Sequence, residues 1–340
     1  MSKKFKEHIL EIEDSEYRNI DASSYSLLKD IDESGPMCLV KERTQKHGEA
    51  LTFGSLVDIL LTSPARLDEI FHTKQIEKPT ASLLELADAL LLDILIYDDT
   101  LQRITHENIQ AKIKELGLWS KMVDQEKIKA KYDDPIFWDY IKESYEAKGK
   151  IIVSQEILEA AEHCADVLLH HEFTRNYFIE QDGVEILKQP SILYKFKGTQ
   201  CKARIDLLII DHNTKTIYVF DIKTGAELPS KFEDSFYKFK YYLQVISYLL
   251  AVQSVIEKNP EFKDYKIDTF KFLYISKKLP DIPCIWEVPE SLLDSFMNGW
   301  DGNTGYGELL ENYKFAKTNE IYNVERKIMD KKGHLIISLR

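Results

Sequence analysis

The 340-residue sequence predicts an α/β protein, with a mixed central sheet flanked by helices and a large helical region ahead of it. Three observations predict it. Apolar residues recur at helical spacing through the first half of the chain, β-branched and aromatic runs cluster in the second half, and one long helix separates two groups of those runs. The helical pattern covers 23–31, 50–61, 81–96, 134–146 and 154–173. Residues 100–132 read as polar helix, an insertion packed on one side or covering a substrate channel. Strands are expected at 184–195, 201–210, 216–223, 270–276 and 282–288. The helix of 231–255 opens after Pro229-Ser230, an acceptable helix start, and 289–315 supplies a closing helix. Residues 333–339 could add a strand at a sheet edge or at a subunit contact. These readings divide the chain into a mainly helical region at 1–178, a core at 179–317 and an extension at 318–340.

Composition narrows the function classes. A hydrophobic share of 44% with 30% charged residues is ordinary for a soluble globular protein. The most apolar window, 83–97, is interrupted by Glu85, Asp88 and Asp93, so it reads as a buried amphipathic helix and not as a membrane span. The first residues lack an apolar signal region, so a cytoplasmic protein is expected. Cys38, Cys164, Cys201 and Cys284 are scattered without C-x-x-C spacing and read as reduced thiols. A net charge of −12 argues against a general nucleic-acid coat but leaves room for a local basic track. Lys195, Lys197, Lys202 and Arg204 form one candidate track, with Lys231, Lys238 and Lys240 beside the long helix. Arg204 stands two before Asp206, sharing its strand face, and is the best candidate for a phosphate contact.

The most informative segment is Cys201-Lys-Ala-Arg-Ile-Asp206 through Asp221-Ile-Lys223, two apolar strands joined by a polar turn. A turn centred on Asn213-Thr214 sets Asp206 opposite Asp221, where directly opposed side chains stand roughly 4.5–5.5 Å apart and like charges repel. Lys223 follows Asp221 by two residues and points to the same face. Two acids and an amine therefore meet on an otherwise apolar hairpin, and charges are rarely buried unless paired or bound to metal. An internal salt bridge and a metal or catalytic site both fit the hairpin taken alone. On the following helix Gln244 and Tyr248 stand four apart, on one face.

Together these residues resemble the PD-(D/E)XK nuclease superfamily, in its RecB-like and exonuclease VIII-like (RecE-like) phage-type branch. The resemblance rests on Asp206, on Asp221-Ile222-Lys223 and on Gln244-Val-Ile-Ser-Tyr248. Ser23-Ser24-Tyr25-Ser26-Leu27-Leu28 with Pro36 is similar to the opening Ser-rich helix of the phage exonucleases, and Gly54-Ser-Leu-Val-Asp58 to the branch's Gly-x-x-x-His element. It implies a restriction-endonuclease-like core and a deoxyribonuclease using one or two Mg²⁺ or Mn²⁺ ions, held by Asp206, Asp221, the Ile222 carbonyl and Asp58. Lys223 would position or deprotonate the attacking water. Gln244 and Tyr248 would orient Lys223 or hold the scissile strand, with Arg204, Lys202 and Ser24 as further DNA contacts. Asp58 stands where many relatives carry histidine. Glu185 and Gln189 are both candidates for an additional glutamate position that relatives fill before the first aspartate. The cysteine-held iron–sulfur cluster of some relatives is not expected. The resemblance further implies resection of linear duplex ends 5′ to 3′ for recombination or replication, with a single-strand annealing recombinase and further copies of the chain as candidate partners and no membrane. A single-strand or end-trimming nuclease, an endonuclease on the same fold, and a non-catalytic subunit that binds DNA or a recombinase are the alternatives.

Overall fold

In the computed structural model, which describes residues 5–40, 49–73, 79–96, 100–122, 124–147 and 150–334, the sheet that carries the acids is built from β1 (Val184–Lys188), β4 (Leu207–Asp211), β5 (Thr216–Gly225), β6 (Phe270–Ser276) and β7 (Leu279–Val288). A smaller sheet contains β2 (Ser191–Phe196) and β3 (Thr199–Arg204). The central order is β7-β6-β5-β4-β1, with the short strand Lys266–Ile267 also paired to β5. β6 runs parallel to β5, and the other neighbours along this order are antiparallel. A parallel pair needs a crossover, and helix α3 (Tyr241–Lys258) lies in it.

The hairpin has the register expected from the sequence. Leu207 pairs with Phe220 and Asp211 with Thr216, which sets Asp206, just ahead of β4, level with Asp221. Asp211 closes the turn by accepting from the Asn213 and Thr214 amides at 2.8 and 3.2 Å and from Thr214 Oγ1 at 2.7 Å. Every residue of β6 is buried, as befits a strand covered on both faces. Helix α3 is apolar nearly all round and correspondingly buried, from Tyr242 to Ile256.

Four expected elements are broken. The run 184–195 forms two strands in different sheets, because Gln189 takes a left-handed φ of 49° and Pro190 has no N–H for a ladder. The run 201–210 breaks at Ile205-Asp206 for the matching reason: Gln189 N–H donates to Asp206 O at 3.0 Å and Ile205 N–H to Pro190 O at 3.1 Å, so the two chains change sheets together. The long helix is split, with a first piece at Phe232–Lys238 and a left-handed residue, Lys240 (φ 56°), before α3. The closing helix is likewise two pieces, Leu293–Asn298 and α4 (Tyr306–Asn319), separated at Gly299 with φ 92°. The strand expected at 333–339 falls mostly on 335–340, outside the described residues.

The chain divides into two units, Met1–Thr62 with His163–Arg340, and Ser63–Glu162. The second unit gathers helices Ala81–Ile96, His106–Glu115, Gln125–Tyr132 and Pro135–Glu146 around Leu86, Leu90, Ile109, Ile113, Tyr132 and Phe137. Thr105, Asp124 and Asp134 cap three of these helices. The division does not follow the boundary drawn at 178, because the first 62 residues are stitched into the sheet unit. Ile9 pairs with Ile192 of β2, and Ser23 bridges β3 through Ser23 N–H to Gln200 O (2.9 Å) and Lys202 N–H to Ser23 O (2.7 Å). That bridge aims helix α1 (Tyr25–Ser34) across the sheet unit, with Ser24 as its N-cap accepting from Leu27 N–H at 3.3 Å.

Lys202 fastens the same segment. It is 6% exposed, and its Nζ donates to the carbonyls of Tyr17, Arg18 and Ile20 at 2.8–2.9 Å, at the end of helix Asp14–Asn19. Lys202→Met leaves these carbonyls without their charged donor and should lower unfolding stability by about 2–3 kcal/mol, measured by urea titration. An unchanged midpoint would show that the clamp contributes nothing.

Candidate active site

The break at Ile205-Asp206 frees Asp206 from the ladder, so its carboxylate turns to the neighbouring strand and Oδ2 accepts from Ile222 N–H at 2.8 Å. Asp221 projects beside it from β5 and is fully buried. One Asp221 oxygen accepts from Gln244 Nε2 and the other faces the Lys223 ammonium in an ion pair. Gln244 Nε2 also donates to the Tyr248 hydroxyl at 2.9 Å, which fixes the amide between strand and helix. The Lys223 ammonium lies 4.8 Å from the centre of the Tyr241 ring.

Helix α2 (Glu49–Thr62) brings the third acid. At Gly54 the helix runs close to β5, where a Cβ would lie 3.5 Å from Thr224 Oγ1. One turn on, Asp58 Oδ2 accepts from the side chain of Gln189, the left-handed residue of the sheet crossover. Asp58 Oδ1 has no hydrogen-bond partner among the described residues.

Burial and crowding of like charge dominate the electrostatics. Burial, then the Asp206 charge, push the Asp58 carboxyl up to about 7, against the opposing pull of Gln189, Lys223 and Arg204. The same two causes hold Asp221 well above the usual carboxylate range. Burial draws the Lys223 ammonium down, yet the facing Asp221 carboxylate, with Tyr25, Asp206 and Tyr241, leaves it above the ordinary lysine value. Lys223 is therefore a cation here. Tyr25 is pushed up to about 12 by burial first, with Asp221, Asp206 and Tyr241 adding, against the opposing pull of Lys223. Tyr248, packed edge-on against Tyr25 at 5.9 Å, is also raised by burial, so both phenols keep their protons.

These residues fit a divalent cation. Asp58 Oδ1 is a buried oxygen with no hydrogen-bond partner among the described residues, and the crowded carboxylates are hard donors. Among the described residues no three His, Cys, Asp or Glu side chains gather closely enough to cage an ion by themselves. Mg²⁺ commonly takes only one or two carboxylates, completing its shell with water and phosphate oxygens.

Other expected site residues are placed elsewhere. Arg204 lies just ahead of the strand break, and although its charge still acts on Asp58 its side chain is held by other partners. Its guanidinium stacks 4.2 Å over Tyr17 and donates to Ser191 Oγ at 2.8 Å and Asp14 Oδ1 at 2.7 Å. Lys202 is the buried clamp described above, and Ser24 is spent on its cap, so neither offers a group to DNA in this arrangement. Glu185 pairs with His212 at 2.8 Å near the hairpin turn, whereas Gln189 reaches the site. The sequence reading missed Tyr25, Tyr241 and the fixed role of Gln189. The Gln-Pro step and the Ser24 cap were the available signals.

An aspartate ahead of one strand, Asp-x-Lys on the next and a Gln-x-x-x-Tyr helix behind them follow the residue order of the PD-(D/E)XK superfamily. The chain belongs to the family described as "PDDEXK-like domain of unknown function (DUF3799)", which matches residues 24–303. No curated protein shows significant sequence similarity to it. A crystal structure of a "Putative exonuclease" from Eubacterium rectale aligns with a TM-score of 0.48 at 12% identity, covering 97% of this chain and 96% of that one. No helix among the described residues is long and apolar enough to cross a membrane.

The raised carboxyls fix a sign for stability. The native apo protein holds a proton on Asp58 that an unfolded chain, with a carboxyl value of about 4, releases, so stability falls as pH climbs from the unfolded value to the native one. Melting in EDTA should drop between about pH 5 and pH 8, and Mn²⁺ should raise it more at pH 8 than at pH 5. Asp58→Asn should flatten the EDTA profile, and a metal-induced rise independent of pH would contradict this reading.

Proposed function

We propose that the protein is a Mg²⁺- or Mn²⁺-dependent DNA exonuclease that hydrolyses phosphodiester bonds at linear duplex ends. The observation that carries this reading is the gathering of Asp206, Asp221 and Asp58 around one ammonium, with the buried Asp58 Oδ1 left without a partner among the described residues. So many acids beside one amine are costly for a purely structural salt bridge, which needs a single partner. In the proposed site Asp206, Asp221 and the Ile222 carbonyl hold the ion, with Asp58 as a further oxygen donor. A bound divalent ion supplies charge neutralisation at the phosphoryl oxygens and acidifies water for in-line attack on phosphorus.

The chain's own groups do the rest. Lys223, paired with Asp221, is placed to hold the attacking water or a phosphate oxygen by donation. Gln244 keeps the Asp221 carboxylate aimed. Tyr25 and Tyr248, protonated and buried, are donors at the site margin. Attack forms the new P–O bond as the bond to the leaving deoxyribose oxygen breaks; the attacking water releases a proton to solvent and the leaving oxygen takes one up. The 5′ to 3′ direction and a role in recombination, with a single-strand annealing recombinase as partner, are proposed from the sequence resemblance to phage-type exonucleases.

Asp206→Ala and Lys223→Ala should each lower hydrolysis by roughly 10²–10⁴-fold or more, with the far-UV CD spectrum unchanged. The assay is end-labelled linear duplex, single strand and closed circle, each with Mg²⁺, Mn²⁺ or EDTA. Full activity in either variant removes the site assignment, and cleavage of the closed circle removes the exonuclease reading.

A further inference from the structure

Resting on the nuclease reading, we infer that Phe239 and Tyr241 form a stacking platform that receives the unpaired bases of a single DNA strand on its way to Lys223. Phe239 and its neighbour Tyr237 are large rings left 39% and 40% exposed, at the break between helix Phe232–Lys238 and α3. The left-handed turn at Lys240 interrupts the helix there, and an ion pair between Lys240 and Asp32 of α1 fixes it.

The surroundings of Phe239 select the occupant. Two ammonium groups flank the ring, Lys238 at 5.3 Å and Lys29 at 5.5 Å from its centre. Lys29 also meets Glu33 at 3.8 Å, whereas Lys238 forms no ion pair among the described residues. A part-exposed ring with ammonium groups over it matches the two parts of a nucleotide strand, a base to stack and a phosphate to neutralise. Inward, Phe239 lies 5.8 Å from Tyr241 with the rings inclined by 35°, and Tyr241 in turn lies under the Lys223 ammonium at 4.8 Å. The series therefore runs from solvent to the Asp221–Lys223 pair. A paired base inside a duplex has both faces covered by its neighbours and gains nothing from such a ring, so the platform favours a frayed or single-stranded end.

Fluorescence anisotropy of the full-length protein tests this in EDTA, with a fluorescein-labelled oligothymidylate and a blunt duplex of equal length as probes. Phe239→Ala should weaken oligothymidylate binding by about tenfold, the order expected for one lost stacking contact, and leave duplex binding within about twofold. Phe239→Trp should restore single-strand affinity, which separates lost stacking from a disturbed fold. Failure of the native protein to bind the single strand, equal losses on both probes, or unchanged binding in Phe239→Ala would each overturn the platform. Because EDTA removes hydrolysis from the readout, a selective loss upholds the platform even if Mg²⁺ and Mn²⁺ produce no cleavage. Cleavage alongside unchanged single-strand binding sinks the platform and leaves the nuclease reading standing.

Discussion

Asp221 is a fully buried carboxylate with a second carboxylate facing it across the hairpin, and the surrounding architecture answers that repulsion. Among the described residues Lys223 supplies the cation in contact with it, from the same face of the same strand. Gln244 supplies a neutral donor from the helix behind, and Ile222 N–H ties Asp206 to the same strand. None of these partners pairs with Asp58, whose carboxyl is pushed up by burial and by the Asp206 charge. In the proposed reading a divalent ion would supply the positive charge that the clustered acids lack.

The crossover at Gln189-Pro190 and Ile205-Asp206 makes that crowding possible. A continuous β3–β4 strand would have spent Asp206 on ladder geometry and kept Arg204 on its face. The joint change of sheets turns Arg204 toward Tyr17 and Asp14 and leaves Asp206 free to meet β5. The strained φ of Gln189 lies at the same point, and its side chain holds Asp58. Backbone strain, carboxylate placement and the docking of α2 are thus one feature seen from three sides.

The N-terminal segment is part of this arrangement and not a layer added to it. Its bridge at Ser23 and the Lys202 clamp set the start of α1, which puts Tyr25 against Tyr248. Two lysines expected on a DNA track are used differently as a result. Lys202 anchors main chain, while Lys238 stands at an exposed ring beside α3.

The sequence by itself determined the α/β class, the hairpin register and the facing of Asp206 and Asp221, because alternation and turn chemistry are local and the side-chain period of a strand is two. It also put Gln244 and Tyr248 on one helix face, since residues four apart on a helix are neighbours. Only the tertiary structure decided where the strands break, that Arg204, Lys202 and Ser24 are occupied by contacts within the fold, and that Gln189, Tyr25 and Asp58 gather from distant segments. Those outcomes depend on hydrogen bonds between residues far apart in the chain, such as Gln189 to Asp206 and Lys202 to Tyr17, and no periodicity within one segment encodes them.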